Sequence, residues 1–142
     1  IERGGDITFH GPGQLVGYPI LNLKTLQMRV SDYVRNLEES LIRLLAGYQV
    51  EAFRREGLTG VWTKSGKIAA IGIAVKRWVT FHGFALNVTT DLTYFNLINP
   101  CGINEPAVSI KSLTGKHYDL AQVASNYLKA FSETFKVRTI TA

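Results

Sequence analysis

The sequence predicts an α+β domain with a mixed, mostly antiparallel sheet and packed helices. Three observations support this prediction. Short strand-like runs come early in the chain, several of them are joined by tight hairpin turns, and two stretches have helical spacing. With 142 residues the chain can bury one core. We therefore predict a single domain over residues 1–142.

The first 23 residues are rich in glycine and predict loops between short strands. The predicted elements are a turn at 3–5, a strand near 6–9, a loop at 10–14 and a strand over 15–23. Arg3 beside Gly4 and Gly5 suits contact with an anion, because bare backbone N–H groups and a guanidinium can converge on one oxygen. His10 suits a base, a ligand or a hydrogen-bonding residue, although a plain structural role is equally compatible with its position.

Residues 29–47 have apolar side chains at helical spacing and predict an amphipathic helix. The predicted buried face consists of Val30, Tyr33, Val34, Leu37, Leu41, Leu44 and Leu45. Glu39 and Arg43 fall at i,i+4 on the opposite face, and Gly47 is a C-terminal stop signal. We assign this helix to the core and give it no chemistry.

The middle of the chain predicts further strands, near 50–53 and at 60–64, 68–75 and 79–88. The run at 68–75 is apolar on both strand faces, so we expect it to be covered on both sides. Lys67 stands at its start, where a lysine by itself most often extends its ammonium to water. Gly72 favours a bulge or the close approach of a ligand or another backbone. Gly83 interrupts the next strand in the same way, directly after His82.

The last third of the chain predicts a helical turn or loop at 92–98, a short helix or turn at 109–113 and a second long helix. Asp119 is the expected N-cap of that helix, with Gln122 as its capping-box partner. Apolar residues at helical spacing continue to about residue 135, and a last strand is predicted at 136–141.

The only cysteine, Cys101, lies between Pro100 and Gly102. Proline fixes φ and glycine has no side chain, so a substrate can approach a thiol on such a turn. Most lone cysteines are buried apolar residues. Covalent catalysis at this thiol is nevertheless the strongest chemical option in the chain. A free thiol has a pKa of about 8.5, so a cationic neighbour would raise the thiolate fraction. The candidate neighbours are Lys67, His82, His10 and Arg3, and sequence spacing does not choose among them.

The composition of the chain limits the kinds of partner that we expect it to bind. The formal net charge of +5 and the pI of about 9.5 suit an anionic partner such as an acidic carrier protein. There is no basic run interleaved with aromatic residues that would favour nucleic acid, and no stretch long enough to span a membrane. The three histidines and the cysteine lie too far apart in sequence to predict a metal site. One cysteine permits no internal disulfide, which fits a reducing, cytoplasmic compartment.

Four segments together resemble the signature of the lipoyl(octanoyl) transferases. We name them the first motif (residues 3–18), the second motif (66–72), the third motif (81–87) and the fourth motif (99–102). The resemblance implies the fold of the biotin/lipoate protein ligase catalytic domain. Members of that family have strands and a helix before the first motif. We therefore expect this chain to lack its N-terminal segment.

The resemblance also implies an activity and its residues. It implies transfer of an octanoyl group from octanoyl-acyl carrier protein to a lysine of a lipoyl domain, in a 2-oxoacid dehydrogenase subunit or the glycine-cleavage H protein, with no cofactor. Cys101 matches the residue that carries the acyl thioester, and Lys67 matches the lysine that lowers its pKa. Substrate binding is implied at Arg3, Gly4, Gly5, Asp6, Ile7, Thr8, Phe9, His10, Ala70, Ile71, Gly72, Gly83, Phe84 and Ala85.

Other expectations concern the pocket and the second step. His82 is a further substrate-binding candidate, and either it or Lys67 is the candidate base for the acceptor lysine. Phe84, Ile71 and Leu86 are the expected walls around the acyl chain. We expect a monomer. Two alternatives stay open: an ATP-dependent lipoate or biotin ligase of the same fold, and a non-catalytic module that binds acyl chains or acidic proteins.

Overall fold

The computed structural model describes residues 9–97 and 105–138. In these residues a four-stranded sheet packs against helices, which confirms the α+β prediction. The elements in chain order are β1 (Gln14–Gly17), α1 (Val30–Gly47), β2 (Val61–Thr63), β3 (Gly66–Lys76), β4 (Val79–Asn87), a 3₁₀ helix (Leu92–Leu97), α2 (Ile110–Thr114) and α3 (Leu120–Phe135). The strand order is β1-β4-β3-β2, and each of these neighbouring pairs is antiparallel. In this part of the chain, no helix is long and apolar enough to cross a membrane.

The first strand is shorter than predicted. β1 ends at Gly17, whereas the sequence predicted a strand over 15–23. The reason is Pro19, which has no amide hydrogen to continue the ladder. Pairing with β4 resumes beyond it, where the Thr80 amide donates to the Leu21 carbonyl at 2.9 Å. The turn predicted at 3–5 and residues 6–8 of the predicted strand lie outside the described residues, and Phe9 is not in a strand.

Helix α1 confirms the predicted core face except at Val30 and at Val34, which is only half-buried. Tyr33, Leu37, Leu41, Leu44 and Leu45 are buried, and Arg43 pairs with Glu39 at 3.3 Å. Val30 is 41% exposed, so its predicted place on the buried face is wrong. It is the first helical residue, in the exposed turn where Arg29 pairs with Asp32.

The β3–β4 hairpin was correctly predicted, but β3 is not buried evenly along its length. Ile68 and Ala69 are buried, whereas β3 is half-buried from residue 72 to 75, so the expected cover on both faces holds for its first half only. The turn residues Arg77 and Trp78 both have positive φ, 51° and 69°, as in a type I′ turn.

The second long helix, α3, begins as predicted. Asp119 caps it by accepting a hydrogen bond from the Ala121 amide at 3.2 Å. Gln122 does not complete a capping box and donates to Asn126 Oδ1 instead. Of the strand predicted at 136–141, residues 136–138 are not in a strand and the remainder lies outside the described residues.

Gly83 is the point where β4 and the end of β1 come closest. A Cβ built on Gly83 would lie 1.9 Å from the Gly17 carbonyl oxygen and 3.0 Å from Pro19 Cδ. The close approach at this glycine is therefore made by the chain's own backbone.

We expect Gly83→Ala to lower the free energy of unfolding by about 3 kcal/mol, near the upper end of what overpacking costs. The added methyl group would meet a carbonyl in a paired strand, which cannot rotate away. Urea denaturation measures the change. Gly47→Ala is the matched control, because nothing lies within 4 Å of a Cβ there. Alanine at that helix position should be neutral or stabilising by up to about 1 kcal/mol. Equal stability of the two variants would contradict the prediction.

Candidate active site

The pairing of β3 with β4 brings the second and third motifs side by side. Ala70 lies opposite Ala85, Ile71 opposite Phe84, and Gly72 opposite Gly83. The sheet therefore joins six of the predicted substrate-binding residues, although the partners in these pairs are 11 to 15 residues apart in sequence.

Helix α3 packs on one of the two faces of the sheet at these positions. Phe84 contacts Tyr127 of α3, with 4.7 Å between ring centroids, and its cross-strand partner Ile71 lies in the same core. Because side chains alternate along a strand, Ala70 and Ala85 project from the opposite face of the sheet. The face turned away from α3 is thus lined by small side chains at these positions.

The three residues expected as walls of an acyl pocket lie in the core. The side chains of Ile71, Phe84 and Leu86 are 8%, 3% and 0% exposed and belong to the core that packs on the helices. Alternation in the sequence separates the two faces of a strand but does not say which face the helices cover. Substrate contact at Ile71 and Phe84 stays a prediction.

His82 has an unusual backbone within β4. Its φ is 61°, in the left-handed region that is rare for residues other than glycine, although less so for histidine. Its ring is half-buried and lies 5.0 Å from the ring of Phe81. Such a conformation costs about 1–3 kcal/mol and persists only where its surroundings hold it. Strained residues of this kind are frequent at functional sites.

Phe9, in the middle of the first motif, packs against residues that precede the fourth. The Phe9 ring stacks on Tyr94 at 5.1 Å between centroids and meets Phe95 edge-on at 5.4 Å. His10, next to it, is exposed to solvent. The predicted residues Arg3, Gly4, Gly5, Asp6, Ile7 and Thr8 lie outside the described residues, and so does Cys101.

Lys67 is half-buried at the start of β3, in an environment that the sequence did not predict. Its Nζ lies 5.2 Å from the centroid of the Trp62 ring, a cation–π arrangement. Burial lowers the pKa of Lys67 below its usual value. The ammonium therefore rests on an aromatic face in a partly desolvated place, whereas a lysine that extends freely to water would keep its ordinary pKa.

Trp62 connects Lys67 to the residues that follow the fourth motif. Its indole Nε1 donates to Glu105 Oε2 at 2.8 Å, and Glu105 also forms an ion pair with Arg55. The Arg55 guanidinium in turn lies 5.4 Å from the Trp62 ring centroid. Sequence reasoning missed Arg55, Trp62 and Glu105, because they are far apart in the chain and form no motif.

The backbone of Lys67 is bonded directly to the same segment. Its amide donates to the Pro106 carbonyl at 3.1 Å, and its carbonyl accepts from the Val108 amide at 3.0 Å. Pro106 comes five residues after Cys101. Since an extended chain spans at most ~3.5 Å per residue, covalent geometry alone limits the distance between Pro106 and Cys101 to about 18 Å.

The sequence also matches a family of known proteins. The family described as "Lipoyl protein ligase A/B catalytic domain" matches residues 1–132. An octanoyltransferase of Caldanaerobacter subterraneus subsp. tengcongensis is 53% identical over 138 residues, which cover 97% of this chain and 60% of that protein. The chain thus spans about 60% of the length of this curated relative.

Solved structures show the same fold at low identity. The bi-partite lipoate protein ligase of Thermoplasma acidophilum has a TM-score of 0.75 at 18% identity, over 99% of this chain and 58% of that one. Apo biotin protein ligase from Aquifex aeolicus has a TM-score of 0.69 at 21% identity, over 87% of this chain and 53% of that one. These likenesses confirm the predicted biotin/lipoate protein ligase fold. Because the family match extends over nearly the whole sequence and the fold agrees with it, the chain belongs to the lipoyl protein ligase A/B catalytic domain family.

Proposed function

We propose that this chain carries the acyl-transfer centre of an octanoyltransferase. It moves an octanoyl group from octanoyl-acyl carrier protein to Cys101, and then to a lysine of a lipoyl domain in lipoate biosynthesis. The acceptor is a 2-oxoacid dehydrogenase subunit or the glycine-cleavage H protein. The observation that carries the proposal is the position of Lys67, whose backbone is bonded to the segment following Cys101.

The first step is a thioester exchange. The Cys101 thiolate attacks the carbonyl carbon of the octanoyl thioester, the bond from that carbon to the carrier's sulfur breaks, and the carrier leaves as a thiolate. A positive charge at Lys67 favours the thiolate form of Cys101 over the thiol. The step needs neither a metal nor a nucleotide, since a thioester is already an activated acyl group.

The second step forms an amide. The amine of the acceptor lysine attacks the enzyme thioester, the carbon–sulfur bond to Cys101 breaks, and the thiolate of Cys101 is released. One proton must leave the attacking nitrogen. Once the thiolate is acylated, nothing favours the charged form of Lys67, and Lys67, whose pKa is lowered by burial, releases its proton to water. The neutral amine of Lys67 is the group we assign as the acceptor of the proton from the attacking nitrogen, with His82 as the alternative.

The sheet face turned away from α3 suits the acyl tail. Ala70 and Ala85 are small, and Ala70 is half-buried while Ala85 is 4% exposed. Val16, opposite Ala85 on β1, is 37% exposed. Transfer of a seven-carbon tail from water to such a surface contributes about 5 kcal/mol at ~0.8 kcal/mol per methylene. This apolar face supports a fatty acyl substrate over a polar one.

The net charge of the protein supports an acidic carrier protein as the acyl donor. The net charge of +5 favours encounter with an acidic carrier protein, through the association rate more than through affinity. A reducing cytoplasm keeps the nucleophilic thiol free. We assign the protein to that compartment as a monomer.

The intact mass of the protein after incubation with octanoyl-acyl carrier protein, without ATP, tests the proposal. We expect a gain of one octanoyl group that hydroxylamine removes. Transfer of that group to an added lipoyl domain should follow. No gain in mass would overturn the acyl-enzyme mechanism, and a modification that appears only with ATP and free octanoate would identify a ligase instead.

A further inference from the structure

Two buried amide side chains lie opposite each other where β1 pairs with β4. Gln14 and Asn87 are partners in the register of these strands, and they are 6% and 5% exposed. Burial of a polar side chain costs free energy unless its hydrogen bonds are made. The hydrogen-bond partners of Gln14 and Asn87 therefore indicate why two amide side chains occupy these positions.

Each bond reaches a different part of the site. Gln14 Oε1 accepts from the Gly11 amide at 3.1 Å, and Gln14 Nε2 donates to the Phe9 carbonyl at 2.9 Å. The same nitrogen donates to Asn87 Oδ1 at 2.9 Å, and Asn87 Nδ2 donates to the Val108 carbonyl at 3.1 Å. A backbone amide only donates and a backbone carbonyl only accepts, so both side-chain amides have one permitted orientation.

These bonds continue to Lys67. Val108, which accepts from Asn87, donates its own amide to the Lys67 carbonyl at 3.0 Å. A continuous series of hydrogen bonds therefore joins residues 9–14 of the first motif to Asn87, at the end of the third motif. It continues through Val108, after the fourth motif, to Lys67 of the second. Isosteric apolar side chains would fill the same volume between the strands, but they would make none of these connections.

We propose that Gln14 and Asn87 are positioning residues for the transfer reaction. They hold the loop of the first motif and the segment after Cys101 in fixed positions relative to Lys67. This inference rests on the proposed function, in which Lys67 acts on the thiol of Cys101.

The test uses Gln14→Met and Asn87→Leu, which keep side-chain volume and remove the hydrogen bonds. Cys101 is the only cysteine, so the rate of iodoacetamide alkylation against pH reports the pKa of its thiol alone. We expect each variant to raise that pKa by about one unit, which leaves about tenfold less thiolate at neutral pH. We also expect kcat for transfer to fall about tenfold, with KM changed less than twofold.

Ser40→Ala is the matched control. It deletes a fully buried hydroxyl that bonds the Leu37 carbonyl at 2.7 Å and Tyr127 Oη at 2.9 Å, within the helix layer. We expect it to lower Tm and to leave the alkylation profile unchanged. Should Asn87→Leu fail to fold, Asn87→Ala removes the donor to Val108 without adding a charge or a branched side chain, and we expect the same shift.

Alkylation profiles of folded Gln14→Met and Asn87 variants that superimpose on the wild-type profile would overturn the inference. The readout does not depend on the acyl donor. If the wild-type protein is not acylated at all, the proposed function fails. The alkylation profiles would still decide whether the amide pair controls the thiol.

Discussion

Cys101→Ser is expected to lower octanoyl transfer to a lipoyl domain by on the order of 10³-fold or more, the scale on which enzymes lose rate with their nucleophile. A hydroxyl has a far higher pKa than a thiol, so one cationic neighbour cannot supply a useful fraction of alkoxide at neutral pH. The rate is measured by mass spectrometry of the acceptor domain under saturating donor.

The fold of this variant should not change, because one sulfur is replaced by one oxygen. Equal Tm values and circular dichroism spectra would show that the loss is chemical. Transfer by Cys101→Ser at more than a tenth of the wild-type rate would exclude a covalent role for Cys101. It would leave a direct attack by the acceptor lysine on the carrier thioester as the mechanism.

Lys67→Met has the second largest expected effect, a fall of about 10- to 100-fold in the rate of enzyme acylation at pH 7. The loss corresponds to a rise of one to two units in the pKa of the Cys101 thiol, with a tenfold change in thiolate per unit. The direction of this pKa change follows from the loss of a positive charge at residue 67. Removal of a cation destabilises the thiolate, so the rising limb of the pH–rate profile moves to higher pH and the rate recovers there.

Lys67→Arg separates the two roles assigned to this lysine. Arginine keeps the positive charge but does not lose its proton near neutral pH, so it cannot serve as a base. We expect its acylation profile to stay near that of the wild type while transfer to the acceptor slows. An unchanged pH–rate profile in Lys67→Met would remove Lys67 from the first step.

Lys67→Met should also make the fold more stable. Burial lowers the pKa of Lys67 in the folded protein, so between that pKa and 10.5 the unfolded chain binds more protons. Stability therefore rises with pH across this interval, and below it the folded state bears the cost of a partly buried charge. We expect Lys67→Met to raise Tm at neutral pH, as is common where a functional residue is removed.

Local features of this protein were predictable from its sequence. The apolar spacing predicted α1 and its core face, Asp119 predicted the start of α3, and the apolar runs with their turn predicted the β3–β4 hairpin. These features depend on neighbours within a few residues. Two errors in these predictions also have local causes. Pro19 shortens β1, and Val30 lies in an exposed first turn.

The site itself required the tertiary structure. Alternation along β3 places Ala70 and Ile71 on opposite faces, but only the position of α3 decides which of the two faces packs on that helix. Trp62 bonds Glu105 across 43 residues, and Gln14 bonds Asn87 across 73. A hydrogen bond between such distant residues leaves no periodic pattern, because its geometry is set by the packing of strands and not by the spacing of the residues in the chain.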